Sequence, residues 1–192
     1  LLPTIIAISL AVVFVIVLLL FIGMYNKLVR MKVECDGAWA QIDVQLKRRY
    51  DLIPNLVETV KGYASHESET LEAVIQARNQ AQNVSSDAMH AAQKADAENM
   101  LTQALGRIFA LAEAYPDLKA NQNFSELQEE LTSTENKISF ARQHYNDTVA
   151  RFEQTRLQFP TNLIGAAFNF EEREYFEMGE GESREAPKVS FN

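Results

Sequence analysis

Residues 124–159 read FSELQEELTSTENKISFARQHYNDTVARFEQTRLQF. Phe124, Leu127, Leu131, Thr134, Ile138, Ala141, Tyr145, Thr148, Phe152, Thr155 and Phe159 follow one another in alternating steps of three and four, without a slip. An apolar seam of that period, held over about five heptads, predicts one long amphipathic helix. Asn123 is placed to cap its start, with Glu126 three residues on as the capping-box partner, and Pro160 stops it. At the α-helical rise a helix over 123–159 is about 55 Å long.

A second seam lies upstream. It runs Leu28, Met31, Cys35, Trp39, Ile42, Leu46, Arg49, Ile53, Val57, Val60, Ala64, Glu67, Leu71, Val74, Arg78 and Ala81, and its phase holds straight through Pro54. Two structures account for this: one helix over 25–81 kinked at Pro54, or a tight turn at 49–53 between two helices with Asp51 as a cap. The preserved phase and the apolar pair Leu52–Ile53 favour the kinked helix. Asn83-Val84-Ser85-Ser86-Asp87 reads as a loop. A third helix is expected over 88–115, with a seam at Ala97, Leu101, Ala104, Ile108, Leu111 and Tyr115, weakened at Gly106 by about 1 kcal/mol relative to Ala. Tyr115-Pro116-Asp117 ends it. Long amphipathic helices joined by short loops predict an all-α protein: an antiparallel, up-and-down bundle of three to four long helices over 25–160.

Ahead of the bundle, Ile5 to Met24 form an uncharged apolar run that gives way to Tyr25, Asn26 and Lys27. Twenty helical residues span roughly the 30 Å of a bilayer's hydrocarbon core. A secretory signal would carry a basic start, a shorter run and a small-residue cleavage site, and a buried globular helix seldom avoids charge for so long. The expectation is a single transmembrane helix over 1–24, with residues 5–24 in the lipid. Lys27, Arg30 and Lys32 follow the run before the first acid, Glu34. By the positive-inside rule this puts a short N-terminus outside and the large C-terminal part in the cytoplasm.

The 192 residues carry a net charge of −8, all of it outside the apolar run. An acidic domain of roughly 165 residues is large enough for a real core and unsuited to nucleic acid. The one cysteine, Cys35, rules out an intramolecular disulfide framework and reads as a reduced core thiol. After Pro160 the character changes. Leu163, Ile164, Phe168, Phe170, Tyr175 and Phe176 are apolar or aromatic, and 171–185 is rich in Glu. Residues 161–192 thus form a partly extended tail, with a short helix at 168–176, a mobile stretch at 179–185 and an extended one at 187–191. Its aromatics either cover the end of the bundle or bind a neighbouring subunit.

Little in the chain asks for catalysis. Asp87 and His90 have the carboxylate-x-x-His spacing of di-metal bundles, but the residues three before His66 and His144 are Tyr63 and Ala141, so no second pair exists. Asp87 reads better as a helix cap. Phosphate loops, nucleophile elbows and zinc-type Cys/His spacings are missing from the sequence. No cofactor, metal or small-molecule substrate is expected. Polar residues on the seams are more informative. Arg49, Glu67 and Arg78, with Thr134, Thr148 and Thr155, stand where apolar residues belong: either they snorkel from exposed edges or they form buried pairs that fix register. Lys47, Arg48 and Arg49 make a candidate docking patch for an acidic partner. The candidate interaction or register positions are Trp39, Lys47, Arg48, Arg49, Pro54, Glu67, Arg78, Phe168, Phe170, Tyr175 and Phe176.

The stretch AWAQIDVQLKRRYDLIPNLV at 38–57 resembles the signature of the LemA family, and YPDLKANQNF at 115–124 resembles its second hallmark. Glu135-Asn136-Lys137-Ile138, Ala141-Arg142, Tyr145-Asn146, Phe159-Pro160, Glu174-Tyr175-Phe176 and Ala186-Pro187-Lys188-Val189 match as well. The resemblance covers nearly the whole chain after the apolar run. It implies a bacterial inner-membrane protein with one N-terminal span, a helical-bundle domain and a short N-terminus outside the cytoplasm. A magnetosome-associated branch of the family hints at membrane organisation, and the resemblance brings no catalytic residues with it. Gly106 departs from the pattern, where similar sequences have a better helix former.

The function these readings favour is that of a non-enzymatic, membrane-anchored scaffold that self-associates as a homo-oligomer or organises other membrane proteins. The alternative is an adaptor or accessory subunit of one membrane enzyme, transporter or sensor. A metal-bearing hydrolase is the third class.

Overall fold

The computed structural model describes residues 2–177. Among these the chain is helical and without strands: α1 (Leu2–Lys61), α2 (Ser68–Asn83), a 3-10 turn at Ala88–His90, α3 (Ala91–Ala114), the single turn α4 (Pro116–Lys119), α5 (Gln122–Leu157) and α6 (Thr161–Ala167). The stretches read as mobile at 179–185 and extended at 187–191 lie outside the described residues.

The 60 residues of α1 make a rod of about 90 Å. Its first third, through Gly23, is exposed all round. From Leu28 onward one face is buried, through Cys35, Trp39, Ile42, Leu46, Ile53, Leu56 and Val60. No break separates the apolar run from the packed part. The helix passes through Pro54 rather than reversing there.

The seam read as a single helix over 25–81 is two helices, and the reversal comes at 62–67. Gly62 weakens the helix, Ser65 and Ser68 flank the turn, and the N–H groups of Tyr63 and Ala64 both return to the Val60 carbonyl. Ala64 is buried inside the turn, so the apolar phase carries across the bend although the helix does not. The cap of α5 is also shifted. Asn121, in extended conformation, accepts the Phe124 N–H at 2.9 Å, so Asn123 is already helical. Glu126 pairs with Gln122 rather than completing a capping box.

Packing follows the seams. Along α1 and α5, Trp39 meets Tyr145, Arg49 meets Glu135 and the Tyr63 hydroxyl meets Asn121, so the two helices run in opposite directions. Along α2 and α3, Tyr115 reaches Glu67 and Lys94 reaches the Ala81 carbonyl, again in opposite directions. Trp39, Tyr50, Phe124, Tyr145, Phe152, Phe170 and Phe176 are the large aromatics of the core among the described residues.

The tail also differs from expectation. Its helix is α6, and 168–177 is irregular rather than helical. Asn169 takes up the left-handed region at φ 51°, and the Phe170 N–H bonds back to the Gly165 carbonyl at 2.9 Å. That is the Schellman ending of a helix, with Asn in the place glycine usually holds. It turns the chain so that the aromatic tail lies back along α1.

Candidate functional site

Pro54 has no N–H, so the carbonyl four residues earlier, at Tyr50, loses its helical partner. Arg78 of α2 supplies a substitute: its Nε donates to the Tyr50 oxygen at 2.8 Å. Among the described residues the seam arginine is in no ion pair; it mends the backbone of α1 at the proline.

Next to this contact lies a buried polar cluster. Arg49 is buried, with Nη1 3.3 Å from Glu98 Oε2, while Nη2 is 3.2 Å from Glu135 Oε2 and donates to Thr102 Oγ1 at 2.7 Å. The Tyr50 hydroxyl donates to the other Glu98 oxygen. Three helices, α1, α3 and α5, thus meet on one guanidinium. Burial pushes the Glu98 carboxyl above its ordinary range, against the lowering pull of the Tyr50 bond and the Arg49 charge. Burial and the facing Glu98 charge likewise raise the Tyr50 phenol. Lys94, one turn before Glu98, is buried too. Its Nζ donates to the Ala81 carbonyl at 2.8 Å and lies 5.4 Å from the Tyr50 ring centre. A cation there suits the carbonyls at the C-terminal end of α2. Burial lowers its affinity for a proton.

A second constellation holds the tail. Trp39 stands edge-to-face with Tyr145 at 5.2 Å and with Phe176 at 5.6 Å. Asn146 and the Phe176 backbone exchange two bonds, at 3.1 and 2.9 Å. The Tyr145 hydroxyl donates to the Glu174 carbonyl at 2.8 Å. Arg173, buried, is 2.8 Å from Asp36, and its N–H donates to Glu153 at 2.9 Å. Burial raises the Cys35 thiol to about 11, so the thiolate is scarce at neutral pH.

The remaining candidate positions are more dispersed. Lys47 and Arg48 are exposed, and Arg48 stands 3.8 Å from Glu130. Glu67 accepts from the Tyr115 hydroxyl at 3.2 Å. Phe168 and Phe170 lie against Tyr25, at 4.9 and 5.8 Å, while Tyr175 faces outward. Thr134 and Thr148 are buried and return their hydroxyls to the carbonyls four residues back, at 2.8 and 2.7 Å. Asp87 caps the 3-10 turn by accepting the Met89 N–H. Among the described residues no group of three or more His, Cys, Asp or Glu is arranged to hold a metal ion.

Sequence reading missed Lys94, Glu98, Arg173 and Asn146. Lys94 left a signal as the next heptad step back from Ala97 on the α3 seam, and Asn146 left one in the Tyr145-Asn146 pair of the family resemblance. The arrangement is one of structural contacts: an ion cluster tying three helices, and a clasp closing the tail on α1 and α5.

The profile of the LemA family matches residues 38–191. This chain belongs to the LemA family. It is 27% identical over 144 residues to Protein LemA of Metamycoplasma hominis, covering 75% of this chain and 64% of that one. It is 22% identical over 175 residues to Magnetosome protein MamQ 2 of Paramagnetospirillum magneticum, and 23% identical over 174 to Magnetosome protein MamQ of Magnetospirillum gryphiswaldense. Those matches cover 80% and 79% of this chain. In each case the matched part spans 64% of the relative's length. In this LemA-family chain α1 is long and apolar enough to cross a membrane, by length and composition. Together with the relatives, this points to a membrane-associated helical protein.

Proposed function

We propose that this LemA-family chain is a single-pass inner-membrane protein whose helical bundle acts as a non-enzymatic scaffold, self-associating or organising other membrane proteins. The observation that carries the reading is the unbroken α1. Its exposed apolar third, 5–24, suits a bilayer, and its packed two thirds form the central helix of the domain. A span rigidly joined to a bundle fixes the bundle's orientation, and confinement to a plane raises the effective concentration for lateral contacts. The basic collar Lys27, Arg30 and Lys32 supports a cytoplasmic domain. The relatives called magnetosome proteins favour a role at membranes over a catalytic one. The buried cluster around Arg49 and the aromatic clasp at Trp39 fit structural work, holding the register of the bundle.

Light scattering on the full chain in detergent tests the self-association. The expected result is a mass above the monomer; a strict monomer across a wide concentration range refutes it. The adaptor reading draws on the shallow groove along the outer face of α5 from Ser125 to Phe140, where Phe140 is exposed. Crosslinking in native membranes separates the two. Self-crosslinks support the scaffold, and one dominant foreign partner supports the adaptor.

A further inference from the structure

Between Arg156 and Glu171 the chain carries no charged residue, although charges are dense on both sides. This stretch contains the end of α5, the Phe159–Pro160 turn, α6 and the Schellman ending. Its position along α1 follows from the packing of α5. Trp39 faces Tyr145, and stepping twelve residues along each helix brings Leu157 level with Lys27, at the end of the apolar run. The tail rings agree. Phe168 lies 5.9 Å from Phe21 and 4.9 Å from Tyr25.

α6 buries Thr161, Ile164 and Gly165 toward the protein. The opposite side presents Leu163, 61% exposed, flanked by Phe159 at 75%, Leu157 at 65% and Phe168 at 49%. Lys27, Arg30 and Lys32 are exposed at the same level or a turn or two beyond. With 5–24 in hydrocarbon, Phe21 lies about one turn inside its edge, so α6 stands at the boundary between acyl chains and headgroups. Uncharged apolar surface beside a basic ring is the chemistry of that layer.

We propose that residues 157–170 form a membrane foot, seated in the acyl–headgroup boundary beside the span, with lipid as the occupant of its exposed apolar side. The inference rests on the reading of 5–24 as a span. Two contacts with one leaflet, the span and the foot, fix the rotation and tilt of the bundle where a lone helix would leave them free.

The test places single tryptophans in the full chain, one copy per lipid nanodisc, with lipids brominated either near the headgroup end of the acyl chains, which reads the foot, or near their methyl ends, which reads the middle of the span. Quenching is read relative to the parent, whose only tryptophan, Trp39, is buried. The variants are Leu163→Trp and Phe159→Trp in the foot, Phe14→Trp in the span and Phe140→Trp on the outer face of α5. Foot and span variants are expected to be quenched several-fold more than Phe140→Trp. If Phe14→Trp is quenched while the foot variants match Phe140→Trp, the foot is refuted and the span stands. Should Phe14→Trp escape quenching, the span reading fails and takes the foot with it. Foot variants with blue-shifted emission but no quenching mean that protein covers the surface, which also overturns the proposal.

Discussion

Arg78→Ala removes the donor that replaces the missing N–H of Pro54, leaving the half-buried Tyr50 carbonyl without its 2.8 Å bond. An unsatisfied buried acceptor costs about 1–3 kcal/mol, and partial exposure puts this one near 1.5. For a domain of this size that lowers the thermal midpoint by about 3–6 °C. The physical claim is sharper than the size of the loss. In a Pro54→Ala background the residue at 54 regains its N–H and bonds the Tyr50 carbonyl as in any helix. Arg78→Ala should then cost less than about 0.5 kcal/mol, giving a coupling of about 1 kcal/mol in the double-mutant cycle. The assay is thermal unfolding of the four full-length proteins in one detergent, followed by tyrosine and tryptophan fluorescence. Equal drops in midpoint for Arg78→Ala in both backgrounds would refute the mending role.

Two further outcomes follow from the same contacts. Burial raises the Glu98 carboxyl above 4.5, so the folded chain holds that proton more tightly than the unfolded one; its stabilising contribution is full below the unfolded value and is lost as pH rises through the folded one. As pH falls below neutrality the parent should gain stability relative to Glu98→Gln, whose midpoint-against-pH curve is flatter; parallel curves contradict this. Asn146→Ala deletes both bonds to the Phe176 backbone. Local opening that is easier by about 1.4 kcal/mol is tenfold more frequent, so limited proteolysis within 168–177 should speed up about tenfold, and an unchanged rate argues against the clasp.

The helices were legible because their signals are local. The steps of three and four in 124–159 depend only on residues a turn apart, and α5 follows them closely. The apolar run is equally local, and no linker separates it from Leu28, so a continuous α1 could be anticipated. The reversal at 62–67 was not seen because Ala64 is buried inside the turn and keeps the apolar phase intact across it. Gly62, Ser65 and Ser68 were the available signal, and periodicity outweighed them.

For the candidate site, the sequence marked Arg49, Arg78, Pro54, Trp39 and Phe176 as out of place or recognisable, without showing how they pair. Nothing in the order of residues says that Arg78 serves the carbonyl that Pro54 abandons, or that Glu98 and Glu135 meet on Arg49. Likewise, the acidic tail gives no sign that Asn146 will hold Phe176 on Trp39. By itself the sequence determined helix periods, the apolar run and the family, since these reside in neighbouring residues and their spacing. Tertiary structure alone decided which polar groups are buried together, because that choice depends on the register in which distant helices lock, and only packing sets it.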